Sequence, residues 1–95
     1  MPMMSGKRTV TAAGTAVPLT AVNQEIQGPL IVKALIANTG TIYIGNDGAS
    51  DVASTNGLEL KAGEVVVFEF CGQTHNIFID SSVNGEGVSW LCLEI

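Results

Sequence analysis

Charge is scarce in this chain, and positive charge scarcest of all. Four Lys and Arg stand against nine Asp and Glu in 95 residues, a formal net charge of -5, with an isoelectric point near 4.4. A nucleic-acid ligand needs a basic patch to displace phosphate counterions, and the adjacent pair Lys7-Arg8 is too small to be one, so no nucleic-acid partner is expected. Long apolar runs are missing as well, since Gly, Asn and charged residues interrupt each one before it could span a bilayer. The opening residues, Met1 to Arg8, lack the apolar stretch of a secretory leader. These absences predict a protein made in the cytoplasm with no membrane partner.

Cysteine occurs twice and histidine once. Cys71 and Cys92 have no CxxC spacing, too little for a disulfide framework, and both fall in strand-like segments where a free thiol acts as a small buried hydrophobe. Cys71, His75 and Cys92 offer three zinc donors but lack a fourth and match no familiar knuckle spacing. His75 lies in Gly72-Gln73-Thr74-His75-Asn76, a turn-like setting without a nucleophile elbow. The loop from Asn46 to Asp51 has the small polar residues of a calcium loop without its alternating carboxylates and closing Glu, so it reads as an Asx-type turn. The remaining carboxylates are spread singly along the chain, and no spacing supports a glycosidase pair. No phosphate-cradling glycine pattern occurs. The chain is therefore read as a non-enzyme with no catalytic residue, metal, cofactor or small-molecule substrate.

What the chain does have is apolar residues, 46% of the total, which is rich for a body with so much surface to cover. One domain is expected, residues 7–95, preceded by residues 1–6. Seven to eight short segments of strand composition are separated by turn residues every eight to twelve positions, with no segment of helical period. They are Lys7 to Ala13, Val17 to Val22, Leu30 to Ala37, Thr41 to Gly45, Gly57 to Leu60, Val65 to Cys71, Ile77 to Asp80 and Val88 to Ile95. This pattern predicts an all-β fold, a single-domain β-sandwich or jelly-roll-like barrel of antiparallel strands. Asn38-Thr39-Gly40 reads as the turn of a β-hairpin between Leu30 to Ala37 and Thr41 to Gly45.

Two segments are apolar on both alternation sets. Leu30 to Ala37 is so except at Lys33, and reads as a strand covered on both sides. Lys33 is then an outward residue or the partner of a carboxylate across a subunit boundary. Val88 to Ile95 places Val88, Trp90 and Cys92 on one set and Leu91, Leu93 and Ile95 on the other, which makes one face a candidate subunit contact. Val66, Phe68 and Phe70 are assigned to the core and Glu69 to a more exposed face. Residues 1–6 show no periodicity and read as an arm docked on a neighbouring subunit, or else as a tail packed on its own domain. The residues expected to touch a partner are Met3, Met4, Lys7 and Arg8 in and beside the arm, with Trp90 and Leu91 at a homo-oligomer contact.

From Ala34 onward the pattern Ala34, Asn38, Gly40, Ile42, Tyr43, Ile44 and Gly45, followed by Asp51, Val52, Asn56, Gly57, Leu60, Gly63 and Glu64, resembles small all-β proteins encoded among the virion genes of tailed bacteriophages. The resemblance covers about a third of the chain. It implies a structural virion component assembled in the host cytoplasm, above all a capsid decoration (cement) protein that binds the major capsid protein or another virion protein and stabilises the shell. It transfers no catalytic residue. The alternative is a carbohydrate- or host-surface-binding β module of a phage tail or fibre, which would require Tyr43 or Trp90 exposed beside a groove.

Overall fold

Eight strands form among the described residues: β1 (Met4–Thr9), β2 (Val17–Pro18), β3 (Leu30–Ala34), β4 (Ile42–Gly45), β5 (Leu58–Leu60), β6 (Val65–Phe68), β7 (Phe78–Ser81) and β8 (Gly87–Cys92), with a 3-10 turn at Thr74–Asn76. The computed structural model describes residues 3–46, 57–69 and 72–94.

The pairing is nested. β4 pairs with β5, β3 with β6, β2 with β7 and β1 with β8, all antiparallel, as in a long ribbon folded at its midpoint. The ribbon then rolls up so that β8 also pairs with β3, and β7 with β4. Two four-stranded sheets result, ordered β1-β8-β3-β6 and β2-β7-β4-β5. This is jelly-roll wiring, realised as a sandwich of two sheets and not as a closed barrel.

Every connection except β4 to β5 passes from one sheet to the other, which corrects the hairpin expected around Asn38-Thr39-Gly40. That turn is a crossover between layers, because its polar groups are spent on a different partner. Asn38 Nδ2 donates to the Gly87 carbonyl at 2.8 Å. The Glu86 carboxylate accepts from the Thr39 amide at 2.6 Å, the Thr39 hydroxyl at 2.9 Å and the Gly40 amide at 2.9 Å. A turn tied to the loop before β8 cannot also close a ladder between its own flanks.

Alternation decides which side chains enter the core. Leu30, Val32 and Ala34 of β3, Ile42 and Ile44 of β4, Ile79 of β7, and Val88, Trp90 and Cys92 of β8 meet between the sheets, joined by Val10, Leu19, Ile26, Leu60 and Ile77. Each large side chain buried there stabilises the fold by about 1.5–3 kcal/mol. Val66 and Phe68 pack against this cluster from β6, as expected, while Phe70 lies outside the described residues. β3 is not covered on both sides: its other set, Ile31 and Lys33, is half-buried. β8 likewise turns Val88, Trp90 and Cys92 inward and leaves Ser89 and Leu91 half-buried.

The first strand begins at Met4, within the segment read as an arm. Met4, Ser5 and Gly6 lie opposite Cys92, Leu91 and Trp90 of the same chain. Gly6 makes this approach possible, since a Cβ at that position would stand 3.0 Å from Cζ2 of the Trp90 indole.

Candidate functional site

The inward sets leave a second face on the sheet β1-β8-β3-β6, and its composition is unusual for a solvated surface. The register places Ser5, Leu91, Ile31 and Val67 in one row across the four strands, and Lys7, Ser89, Lys33 and Val65 in the next. Val65 and Val67 are exposed, and Ile31 and Leu91 are half-buried. Met3 and Leu93 flank the rows at one end, 65% and 39% exposed. Ile36, 75% exposed, borders a groove of about 360 Å³ that Lys7, Lys33 and Ser89 also line. Large apolar side chains are thus gathered here, whereas Val22, Leu58 and Val83 are exposed elsewhere.

The residues expected to bind a partner divide between the two faces of this sheet. Met3, Lys7 and Leu91 belong to the outer surface. Met4 packs against the core and Trp90, 9% exposed, is part of it. Arg8 turns inward and donates from Nε to the Pro18 carbonyl at 2.9 Å, stitching β1 to β2. The physical reason is period two: Met4, Gly6 and Arg8 share the side that faces Cys92, Trp90 and Val88. Ile31, Val65, Val67 and Ser89 of the outer face were not singled out from the sequence. Lys33 was, as the one interruption in an otherwise apolar segment.

Other polar groupings are structural. His75 sits in the 3-10 turn, where its Nε2 meets the Thr20 carbonyl at 2.9 Å and its amide donates to the Asn23 side chain at 3.0 Å. Beneath it the buried Thr74 hydroxyl bridges the Thr20 hydroxyl at 2.7 Å and the Gln24 amide at 2.9 Å. Asp80, 2% exposed, accepts from the Gly14 amide at 3.0 Å and the Ser81 amide at 2.7 Å. Three amide and hydroxyl donors hold the Glu86 carboxyl below the usual carboxylate range, the Thr39 amide foremost and then that of Gly40. Cys92 is a free, buried thiol that donates to the Glu94 carbonyl at 3.3 Å. Cys71 and most of the Asn46 to Asn56 loop lie outside the described residues.

Tyr43 is 8% exposed, so neither it nor Trp90 offers the open aromatic platform that sugar binding would use. A cavity of about 520 Å³ opens between Ile44, Leu58, Phe68 and Ile77, with Asn46 and Asn76 also lining it. Among the described residues no group of three or more His, Cys, Asp and Glu side chains converges as metal ligands would, and no helix is long and apolar enough to cross a membrane. Comparison of the chain with protein-family models, with curated proteins and with solved structures found no significant match.

Proposed function

We propose that this protein is a structural component of a tailed-bacteriophage virion, a capsid decoration protein that binds coat subunits through a sheet face and stabilises the shell. The observation that carries the reading is the outer face of β1-β8-β3-β6, where Met3, Ile36, Val65, Val67 and Leu93 are exposed around the half-buried Ile31 and Leu91. Concentrated apolar surface of this kind marks a place where another protein sits. The jelly-roll wiring and the resemblance of the stretch from Ala34 to Glu64 to virion proteins support the same reading.

Size supports repetition of the contact. Four strands about 4.8 Å apart and four to six residues long make a face on the order of 300 Å², well under the roughly 800 Å² per partner of a stable pairwise complex. A homo-oligomer on a repeating coat lattice multiplies so small a contact through avidity. A host-surface sugar-binding role fits less well, because the aromatic rings it would use, Tyr43 and Trp90, are buried.

The test is cosedimentation of the purified protein with heads assembled from the coat protein encoded in the same genome. Saturable binding at a fixed number of copies per coat subunit, with heads that resist heat or chelators better than bare ones, is expected. A protein that stays in the supernatant at all concentrations contradicts the reading.

A further inference from the structure

Two ammonium groups stand on this apolar face, and among the described residues no carboxylate meets them. Lys7 on β1 and Lys33 on β3 both lie opposite Ser89 of β8, one on each side, which sets their α-carbons roughly 10 Å apart at ordinary strand spacing. Among the described residues neither side chain makes a hydrogen bond or ion pair. They are two of only four cationic residues in a protein of net charge -5, and the groove between them is floored by Ser89 and walled by Leu35, Ile36 and Ala37. The other two cations are engaged: Arg8 with the Pro18 carbonyl and Lys61 with the Thr41 hydroxyl.

From this juxtaposition we infer that the Lys7–Ser89–Lys33 row is the specificity element of the docking face, and that its occupant is a partner protein presenting a carboxylate ringed by apolar side chains. The inference rests on the proposed assembly role and names the chemistry of its contact. Charge complementarity selects the partner. Lysine carries its ammonium on a long, flexible four-carbon stem, so both ammonium groups can close on one inserted Asp or Glu. Val65, Val67, Ile31 and Leu91 then exclude water around the pair, which strengthens it. The same face of a second copy is a poor occupant, since its rows Ser5-Leu91-Ile31-Val67 and Lys7-Ser89-Lys33-Val65 carry no carboxylate and would set lysine against lysine. The remaining acidic surface repels other acidic proteins and steers this face toward its target.

The experiment uses ¹⁵N-labelled full-length protein titrated with a five-residue peptide alternating valine and glutamate, with the valine-lysine peptide as control. Amide shifts confined to Lys7, Ile31, Lys33, Ser89 and Leu91, seen with the acidic peptide alone, are expected, and they should shrink at least fivefold in 0.5 M salt. The double variant Lys7→Glu/Lys33→Glu should lose them, and Lys7→Ala/Lys33→Ala should lose most, each with an otherwise unchanged spectrum that reports an intact fold. Shifts elsewhere, equal response to the basic peptide, no response at millimolar peptide, or shifts of these same amides on concentration without peptide, which would mean self-association, each overturn the inference. Heads that bind while the peptide does not would leave the virion reading standing without this row. A peptide response without head binding would do the reverse.

Discussion

At the scale of single residues, the crossover near Asn38 and the start of β8 decide whether two sheets stay together. A side chain at Gly87 would run into the backbone of β1, meeting the Arg8 carbonyl and, at 2.6 Å, the Thr9 α-carbon. Backbone cannot rotate aside as a flexible side chain can, so Gly87→Ala is expected to cost about 2–4 kcal/mol by overpacking, read as a lowered urea midpoint. Thr74→Val removes the acceptor of the half-buried Gln24 amide and the buried partner of the Thr20 hydroxyl and should cost about 1–3 kcal/mol in the same assay, more than its nearly equal volume suggests. Glu86 carries a pH dependence. Its folded-state pKa is depressed by the Thr39 and Gly40 donors, so its stabilisation is fully present above the ordinary carboxylate range and is lost as pH falls through the folded value. Glu86→Gln should therefore lower stability at pH 7 and flatten its decline in acid below about pH 4.3, measured by thermal unfolding across pH. These residues also show why some roles escaped the sequence. His75 and Thr74 are recognisable as a turn, but that they tie the turn to Thr20 and Gln24, some fifty positions away, depends on folding that no local pattern encodes.

At the scale of elements, the alternation within each strand was legible and the pairing between strands was not. Val88, Trp90 and Cys92 could be read as one side of a strand, as could Val66 and Phe68. That Trp90 faces the core follows from β8 lying between β1 and β3, with Gly6 of β1 leaving room for the indole. Arg8 was assigned to a partner contact with Met3, Met4 and Lys7 as part of an arm, and the local sequence of β1 cannot say which of its alternating sets a neighbouring layer will cover. The Asn38-Thr39-Gly40 turn has hairpin composition, yet its donors are taken by Glu86, so composition misreads its geometry. β1 is the edge strand that covers Trp90. Removing residues 1–9 should therefore expose the indole and shift its fluorescence emission to the red, with a loss of several kcal/mol for the vacated packing. Unchanged emission would mean that the β1–β8 ladder is not what shields Trp90.

At the scale of the whole molecule, the wiring brings the two ends together, Met4 opposite Cys92, and leaves one sheet with an apolar outer face. Closing β1 on β8 across nearly the full chain makes slow folding the expectation, milliseconds to seconds, characteristic of non-local sheet topologies; stopped-flow Trp90 fluorescence would check it. The outer face was only half legible. Leu30 to Ala37 and Val88 to Ile95 announced themselves by being apolar on both sets, but only the register shows that Ile31, Leu91 and Val67 line up in one row with Lys7, Ser89 and Lys33 in the next. The proposed decoration role requires that this face, and not the rest of the surface, meets the capsid. Hydroxyl-radical footprinting of the protein free and bound to heads tests it most directly, because exposed apolar side chains on and off the face report in a single measurement. Met3, Leu91 and Leu93 are expected to oxidise several-fold more slowly on heads while Val22 and Leu58 are unchanged; protection of Val22 and Leu58 with Met3, Leu91 and Leu93 still reactive would place the contact elsewhere and contradict the proposal.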